Sequence, residues 1–141
     1  MQIKRRDLEV VQWFVALLFL GSGALKLSGV DAVTMNFESW GFPLRFMYFI
    51  GLCEMAGAIG VLLPWHKIRG LAALGLACIM GGAVFTHVHA DQWGRIWFPL
   101  ALFAILVALA VSSLYDLRHP KTESSSDKFL DRKEHHNRRA S

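Results

Sequence analysis

The chain has 141 residues, of which 54% are hydrophobic and only 18% charged, against about a quarter charged in an ordinary soluble domain. Its apolar residues fall into four blocks, each close to the roughly 20 residues that a helix needs to cross a bilayer. This pattern excludes a secreted disulfide scaffold, a nucleic-acid-binding domain and a disordered chain. The net charge of +4 resides at the two ends, because residues 8–115 carry five basic and five acidic residues.

The four apolar blocks predict four transmembrane helices, over residues 8–27, 46–63, 70–88 and 96–115. A helix satisfies its own backbone groups inside hydrocarbon, whereas an isolated strand does not. A β-barrel would instead show shorter segments of alternating hydrophobicity. The predicted fold is therefore all-α, with a four-helix transmembrane bundle formed by residues 8–115.

The basic residues predict the orientation of this bundle. Lysine and arginine cluster before the first block, in the turn at residues 64–69 and after the fourth block, whereas residues 28–44 contain neither. We therefore expect a multi-pass protein of the cell (cytoplasmic) membrane, with residues 1–7 and 116–141 in the cytoplasm. The charged tail at 116–141 is predicted to be disordered. A cleaved signal peptide is the alternative for the first block, but its length and the charge pattern favour a retained span.

The connection between the first two spans predicts a short amphipathic helix. The apolar residues that recur there at helical spacing are Val30, Val33, Phe37 and Trp40. We expect this segment to lie in the membrane interface, where its rings would join Trp93 and Trp97 in an aromatic belt. A lid over a ligand is the less favoured alternative.

Glu54 lies near the centre of the second block, where a carboxylate costs several kcal/mol and needs a partner or a proton. Its neighbours at helical spacing are small, namely Gly51, Gly57 and Ala58. Because small residues let helices approach closely in membranes, Glu54 is predicted to point into the bundle. The large residues of the opposite face, Phe49, Leu52, Ile59 and Leu63, are predicted to face lipid.

Lys26 shares a helical face with Ser22 near the outer end of the first span. Its ammonium group can reach out to the lipid headgroups. Alternatively it can bend inward to Glu54, about 13 Å into the second span at 1.5 Å per residue. The sequence leaves these two arrangements open.

His87 lies beside Thr86 near the outer end of the third span, on a face that the sequence does not decide. With His89 and Asp91 it would approach a metal only in an extended backbone, and no other cluster completes a site, so no metal is predicted. Cys53 and Cys78 form no CxxC pattern and are expected to be small core residues.

A candidate intramembrane polar site emerges, formed by Lys26, Glu54, His87, Ser22 and Thr86. Ionisable groups inside a membrane mark functional sites by default. Such a set suits proton exchange with a lipid-soluble ligand, for example a quinone, which needs hydrogen-bond donors, a titratable group and an apolar channel.

Four short motifs, in this order, resemble the DoxX-like family: Ser22-Gly23-Ala24-Leu25-Lys26-Leu27, Gly41-Phe42-Pro43, Ile50-Gly51-Leu52-Cys53-Glu54, and Gly82-Ala83 with Thr86-His87. Together they span about residues 10–110. The resemblance implies a four-helix protein of a bacterial or archaeal cytoplasmic membrane, in which Lys26, Glu54 and His87 match recurring polar positions. The family name comes from subunits of a thiosulfate:quinone oxidoreductase. Other relatives are linked to membrane redox complexes, to thiol homeostasis or to membrane-protein assembly.

The expected function is therefore an accessory or quinone-binding subunit of a membrane redox complex, without a redox centre of its own. The alternative is a non-enzymatic membrane scaffold or assembly factor. A small carrier of protons or solutes ranks last, because no broken helix or repeat is visible. The expected partners are the lipid bilayer and another membrane or redox protein, with a homo-oligomer left open.

Overall fold

The computed structural model describes residues 5–118 and contains only helices over this range. The elements are α1 (Arg5–Leu27), α2 (Asp31–Ser39), α3 (Leu44–Leu62), α4 (His66–His89), a single 3₁₀ turn (Trp93–Arg95) and α5 (Trp97–Arg118). The all-α prediction is confirmed. The predictions made for residues 1–4 and 119–141, including the disordered tail, lie outside the described residues.

Four of the helices, α1, α3, α4 and α5, are long and apolar enough to cross a membrane. Their outer faces carry large exposed apolar side chains, such as Leu17, Phe49, Leu52, Leu71, Phe85 and Val111. In water a surface of this kind would drive aggregation, whereas lipid tails are as apolar as these side chains. The chain is an integral membrane protein whose four-helix bundle contacts the lipid bilayer.

Close packing joins α1 to α3, α3 to α4 and α4 to α5. The helices α1 and α5, by contrast, are not closely packed against each other. The buried core between the four spans includes Val15, Phe19, Ala58, Val61, Leu76, Leu102 and Leu106. Three tight helix contacts thus hold the bundle, and the fourth side, between α1 and α5, is looser.

Glycines make two of the three tight contacts. A Cβ atom at Gly23 would lie 2.8 Å from the carbonyl oxygen of Gly51, which places the backbones of α1 and α3 almost in contact. A Cβ at Gly57 would lie 2.6 Å from the side chain of Leu76, so α3 receives this leucine of α4 in the space that the glycine leaves. Packing through small residues is a usual source of helix association in membranes.

The helix ends differ from the predicted spans where the chain leaves the hydrocarbon. α3 begins directly after Pro43, two residues before the predicted span, since proline suits a helix start. α4 begins at His66, so the predicted basic turn is largely helical. Arg69 donates from Nε and Nη2 to the Leu63 carbonyl oxygen at 3.3 and 3.1 Å and thereby satisfies the end of α3. Hydropathy marks the edge of the membrane, and helices continue past it.

α2 lies at the end of the bundle where α1 and α4 finish and α3 starts, which we call the α2 end. It is bounded by Gly29 with φ +63° and Gly41 with φ +76°, two left-handed positions that favour glycine. The prediction of a short amphipathic helix is confirmed, because Val33, Phe37 and Trp40 are buried or partly buried while Glu38 is exposed; Val30, which we placed on the same face, is exposed. α2 therefore packs one face onto the bundle.

Candidate functional site

Glu54 is almost completely buried in α3, with 1% of its surface exposed. On the opposite face of the helix, Phe49, Leu52 and Ile59 are all more than half exposed. This confirms that the carboxylate points into the bundle and the large side chains point outward. Leu63, which was also predicted to face lipid, lies just past the end of α3 and is partly buried.

The partner of Glu54 is Lys26, across the tight contact between α1 and α3. Lys26 Nζ lies 3.0 Å from Oε1 and 2.8 Å from Oε2 of the carboxylate. It also donates to Ser22 Oγ at 2.7 Å, one turn earlier in α1. Of the two arrangements that the sequence left open, the structure shows the ion pair. The pairing compensates each charge for its removal from water.

The two members of the pair are exposed to different degrees. Lys26 retains 13% side-chain exposure, whereas Glu54 retains 1%. The ammonium group is therefore the more accessible member of the pair. Ser22 Oγ accepts its bond from Lys26, so its own hydrogen has no acceptor among the described residues. The three N–H groups of Lys26 are all engaged, so the free donor of this group is the Ser22 hydroxyl, beside an ammonium whose charge the carboxylate neutralises.

His87 lies at the end of α4 and is held by two neighbours. In the Nδ1–H tautomer its ring donates to Gln92 Oε1, 2.9 Å away, which leaves Nε2 as an acceptor. Its ring contacts Trp40 edge to face, with centroids 5.2 Å apart. The ambiguity about its helical face is thereby resolved: His87 faces the bundle. Thr86 Oγ1 donates to the Gly82 carbonyl of its own helix at 2.9 Å and is not tied to the other polar residues.

A cavity of about 860 Å³ at the α2 end connects these residues. All five predicted polar residues, Ser22, Lys26, Glu54, Thr86 and His87, line it. The structure places them in two groups on its wall, Lys26 with Ser22 and Glu54, and His87 with Thr86. Most of the remaining wall is apolar and comes from all four spans and α2.

The structure corrects our expectation for the aromatic residues of α2 and its following turn. We expected an aromatic belt in the interface, but Phe37 is buried and Trp40 and Phe42 are partly buried, and all three line the cavity. The rings of Phe37 and Trp40 lie 5.6 Å apart, and Phe42 stacks onto Phe46 at 5.1 Å. These residues form part of the cavity wall, and the lid over a ligand stays a prediction.

The remaining belt residues, Trp93 and Trp97, are exposed at the same end, as an aromatic belt requires.

Sequence reasoning did not place Asn36 at the cavity or Gln92 beside His87, and it assigned Trp40 to the membrane interface. Asn36 in α2 and Trp40 just past its end lie one turn apart, which the sequence shows, but the face that α2 turns to the bundle is set by tertiary packing. Gln92 reaches His87 only because the chain reverses at Asp91, a non-glycine residue with φ +54°.

The histidines of α4 do not adopt the extended arrangement that a metal would need, because the helix continues through His89. His89 instead packs on Phe85, with ring centroids 4.5 Å apart. Within residues 5–118 no group of three potential metal ligands occurs. Cys53 and Cys78 are both free, and Cys78 is exposed, so the expectation of a core residue was wrong for Cys78.

Comparisons with known proteins agree with this architecture. The model of a family described as the DoxX-like family matches residues 10–109. A relative from Bacillus subtilis (strain 168), named "Uncharacterized protein YdgD", is 24% identical over 99 residues, which cover 69% of this chain and 87% of the relative. No solved structure matches the chain.

Proposed function

The chain belongs to the DoxX-like family, and from this premise we propose that it binds the headgroup of a lipid-soluble ligand in the cavity at the α2 end. A quinone is the ligand that we expect, and an accessory subunit of a membrane redox complex is the proposed role. In this role the chain binds and orients the quinone. The group that donates electrons to the quinone belongs to a partner subunit of the complex.

The observation that carries this proposal is the combination of a large apolar cavity with a few polar groups on its wall. The volume of about 860 Å³ lies within the range of roughly 300–1,000 Å³ that small-molecule sites occupy. Ser22, which accepts a hydrogen bond from Lys26, supplies a hydroxyl donor at one place, and His87 supplies a ring nitrogen at another. Such walls suit a molecule with a polar ring and an apolar tail.

The chemistry of the Lys26 group favours a neutral acceptor. A quinone carbonyl accepts hydrogen bonds, and Ser22 Oγ–H can donate one, whereas the three N–H groups of Lys26 already donate to Ser22 Oγ and to the two carboxylate oxygens of Glu54. An anionic headgroup would gain less, because the carboxylate of Glu54 lies within 3.0 Å of the same ammonium and cancels its charge. His87 Nε2, as an acceptor, suits a hydroxyl, which is the group that a quinone carries after reduction.

The test is a binding measurement on protein in nanodiscs made from lipids without quinone. A quinone analogue with a ten-carbon tail should raise the Tm of the wild type. In Ser22→Ala we expect its affinity to fall about threefold to tenfold, the usual effect of one lost hydrogen bond. Ser112→Ala is the matched control, because Ser112 bonds only within α5, to the Leu109 carbonyl, and does not line the cavity.

Two results would contradict the ligand-binding proposal: no quinone in a lipid extract of the purified protein, and no change of Tm on addition of the analogue. The alternative, a scaffold or assembly factor, would then be favoured. It predicts that crosslinking in membranes captures a stoichiometric protein partner and that capture is equal for the wild type and Ser22→Ala.

A further inference from the structure

The cavity at the α2 end extends to the outer surface of the bundle. Among the residues that line it, Leu17 and Leu25 of α1 and Phe98 of α5 are 63%, 52% and 63% exposed. All three lie within spans that are long and apolar enough to cross a membrane. The medium that meets this part of the cavity is therefore the lipid bilayer.

The two helices that carry these three residues, α1 and α5, bound the loose side of the bundle. α1 packs on α3 and α5 packs on α4, but α1 and α5 are not closely packed against each other. Gly21, at the α1 edge, also lines the cavity, and a Cβ atom built there would have no neighbour within 4 Å. A gap thus runs along α1 beside Ser22 and Lys26.

The opposite holds on the side of the cavity that faces α2. Phe37 is 8% exposed, and its ring packs against those of Trp40 and Phe42 at 5.6 and 6.3 Å. Trp40 in turn contacts His87 of α4, so the aromatic residues bridge from α2 to α4. This side is covered by rings, whereas the side between α1 and α5 is open.

We propose that the gap bounded by Leu17, Gly21 and Leu25 of α1 and by Phe98 of α5 is a lateral passage into the bilayer. Through it the hydrocarbon chain of a membrane amphiphile enters the cavity, while the headgroup reaches Lys26 and Ser22. Only the identity of that headgroup rests on the proposed function. The entry of a chain rests on the apolar walls, since removing apolar surface from water is favourable.

The test uses the fluorescence of Trp40, which lines the cavity. The other tryptophans, Trp13, Trp65, Trp93 and Trp97, are each at least 59% exposed and can be replaced by phenylalanine without opening the core. In bilayers whose acyl chains are brominated, and therefore quench tryptophan on contact, Trp40 should be quenched. Gly21→Phe should reduce this quenching at least twofold. Gly75→Phe is the matched control, because Gly75 also has open space at its Cβ but does not line the cavity.

A second variant acts in the opposite direction. Phe98→Ala removes the ring on the α5 side and should increase the quenching of Trp40. The passage is ruled out if Trp40 is not quenched, or if Gly21→Phe and Gly75→Phe have equal effects and Phe98→Ala has none. Failure of quinone binding with this quenching pattern intact would refute the proposed quinone and leave the passage standing.

Discussion

At the scale of single residues, the two charges of the Lys26–Glu54 pair depend on each other unequally. Glu54 is almost completely buried, with 1% of its surface exposed, so its carboxylate depends on Lys26 for a partner of opposite charge. Lys26 lies one position before the end of α1 and has a long aliphatic stem, so it can turn toward the lipid headgroups when Glu54 is removed. The carboxylate is therefore the more dependent partner.

This asymmetry makes a prediction about stability. Lys26→Met should destabilise the bundle by about 3 kcal/mol, because it leaves a buried carboxylate without its partner. Glu54→Gln should cost clearly less. Unfolding of the purified variants in mixed micelles measures both.

The double variant Lys26→Met with Glu54→Leu removes both charges of the pair. It should be more stable than Lys26→Met alone, since both buried charges are gone. A Lys26→Met protein as stable as the wild type would show that the ion pair contributes nothing to folding.

The inward direction of Glu54 was predictable, because its neighbours at helical spacing are small and the opposite face is large. The ion pair was not, because a depth of about 13 Å counted along a helix axis ignores how closely two helices approach and how far a lysine stem extends. Trp40 was assigned to the wrong environment for a similar reason. Periodicity identifies the apolar face of α2 but not the surface that this face covers.

At the scale of elements, the contact between α1 and α3 leaves almost no free space. A Cβ at Gly23 would lie 2.7 Å from Met55 Cγ as well as 2.8 Å from the Gly51 carbonyl oxygen. Methionine can move aside, but a backbone carbonyl cannot. The same contact brings Lys26 to Glu54, so the helix packing and the polar site depend on one small surface.

Gly23→Ala should therefore push α1 away from α3 and destabilise the protein by about 2 kcal/mol, within the usual cost of overpacking. Gly21→Ala, two residues away on the same helix, adds a methyl group into open space and should leave stability unchanged. Thermal unfolding of both variants in the same detergent provides the comparison. Equal stabilities would mean that α1 and α3 are less tightly packed than described.

The boundaries of these elements show what hydropathy can and cannot locate. All four spans were predicted at their correct places, because hydrophobic residues report immersion in hydrocarbon. The first turn of α4 was assigned to a connection because it is basic, yet its backbone is helical. Helix ends depend on local capping, such as the bond from Arg69 to Leu63, which composition does not reveal.

At the scale of the whole molecule, basic residues remain unevenly distributed between the two ends of the bundle. The α2 end carries more charge than predicted, because Arg45 lies in the first turn of α3, just past the connection we considered. Lys67 and Arg69 lie at the opposite end, where α1 begins and α5 ends, and the sequence has further basic residues before the first span and after the fourth. The bias still favours cytoplasmic termini.

We therefore expect a green fluorescent protein fused to the C-terminus to be fluorescent in bacterial cells, and alkaline phosphatase at the same position to be inactive. The same phosphatase inserted next to Ser28, at the α2 end, should be active. The reverse pattern would place the α2 end, and with it the cavity, on the cytoplasmic side of the membrane.

The ion pair inside the bundle also has an electrical consequence. A transmembrane voltage does work on net charge, about 2.3 kcal/mol for each elementary charge carried through 100 mV. Lys26 and Glu54 lie within 3.0 Å of each other on neighbouring helices, so together they present no net charge to that field. A neutral molecule that binds beside them therefore does so equally well in an energised and in a de-energised membrane.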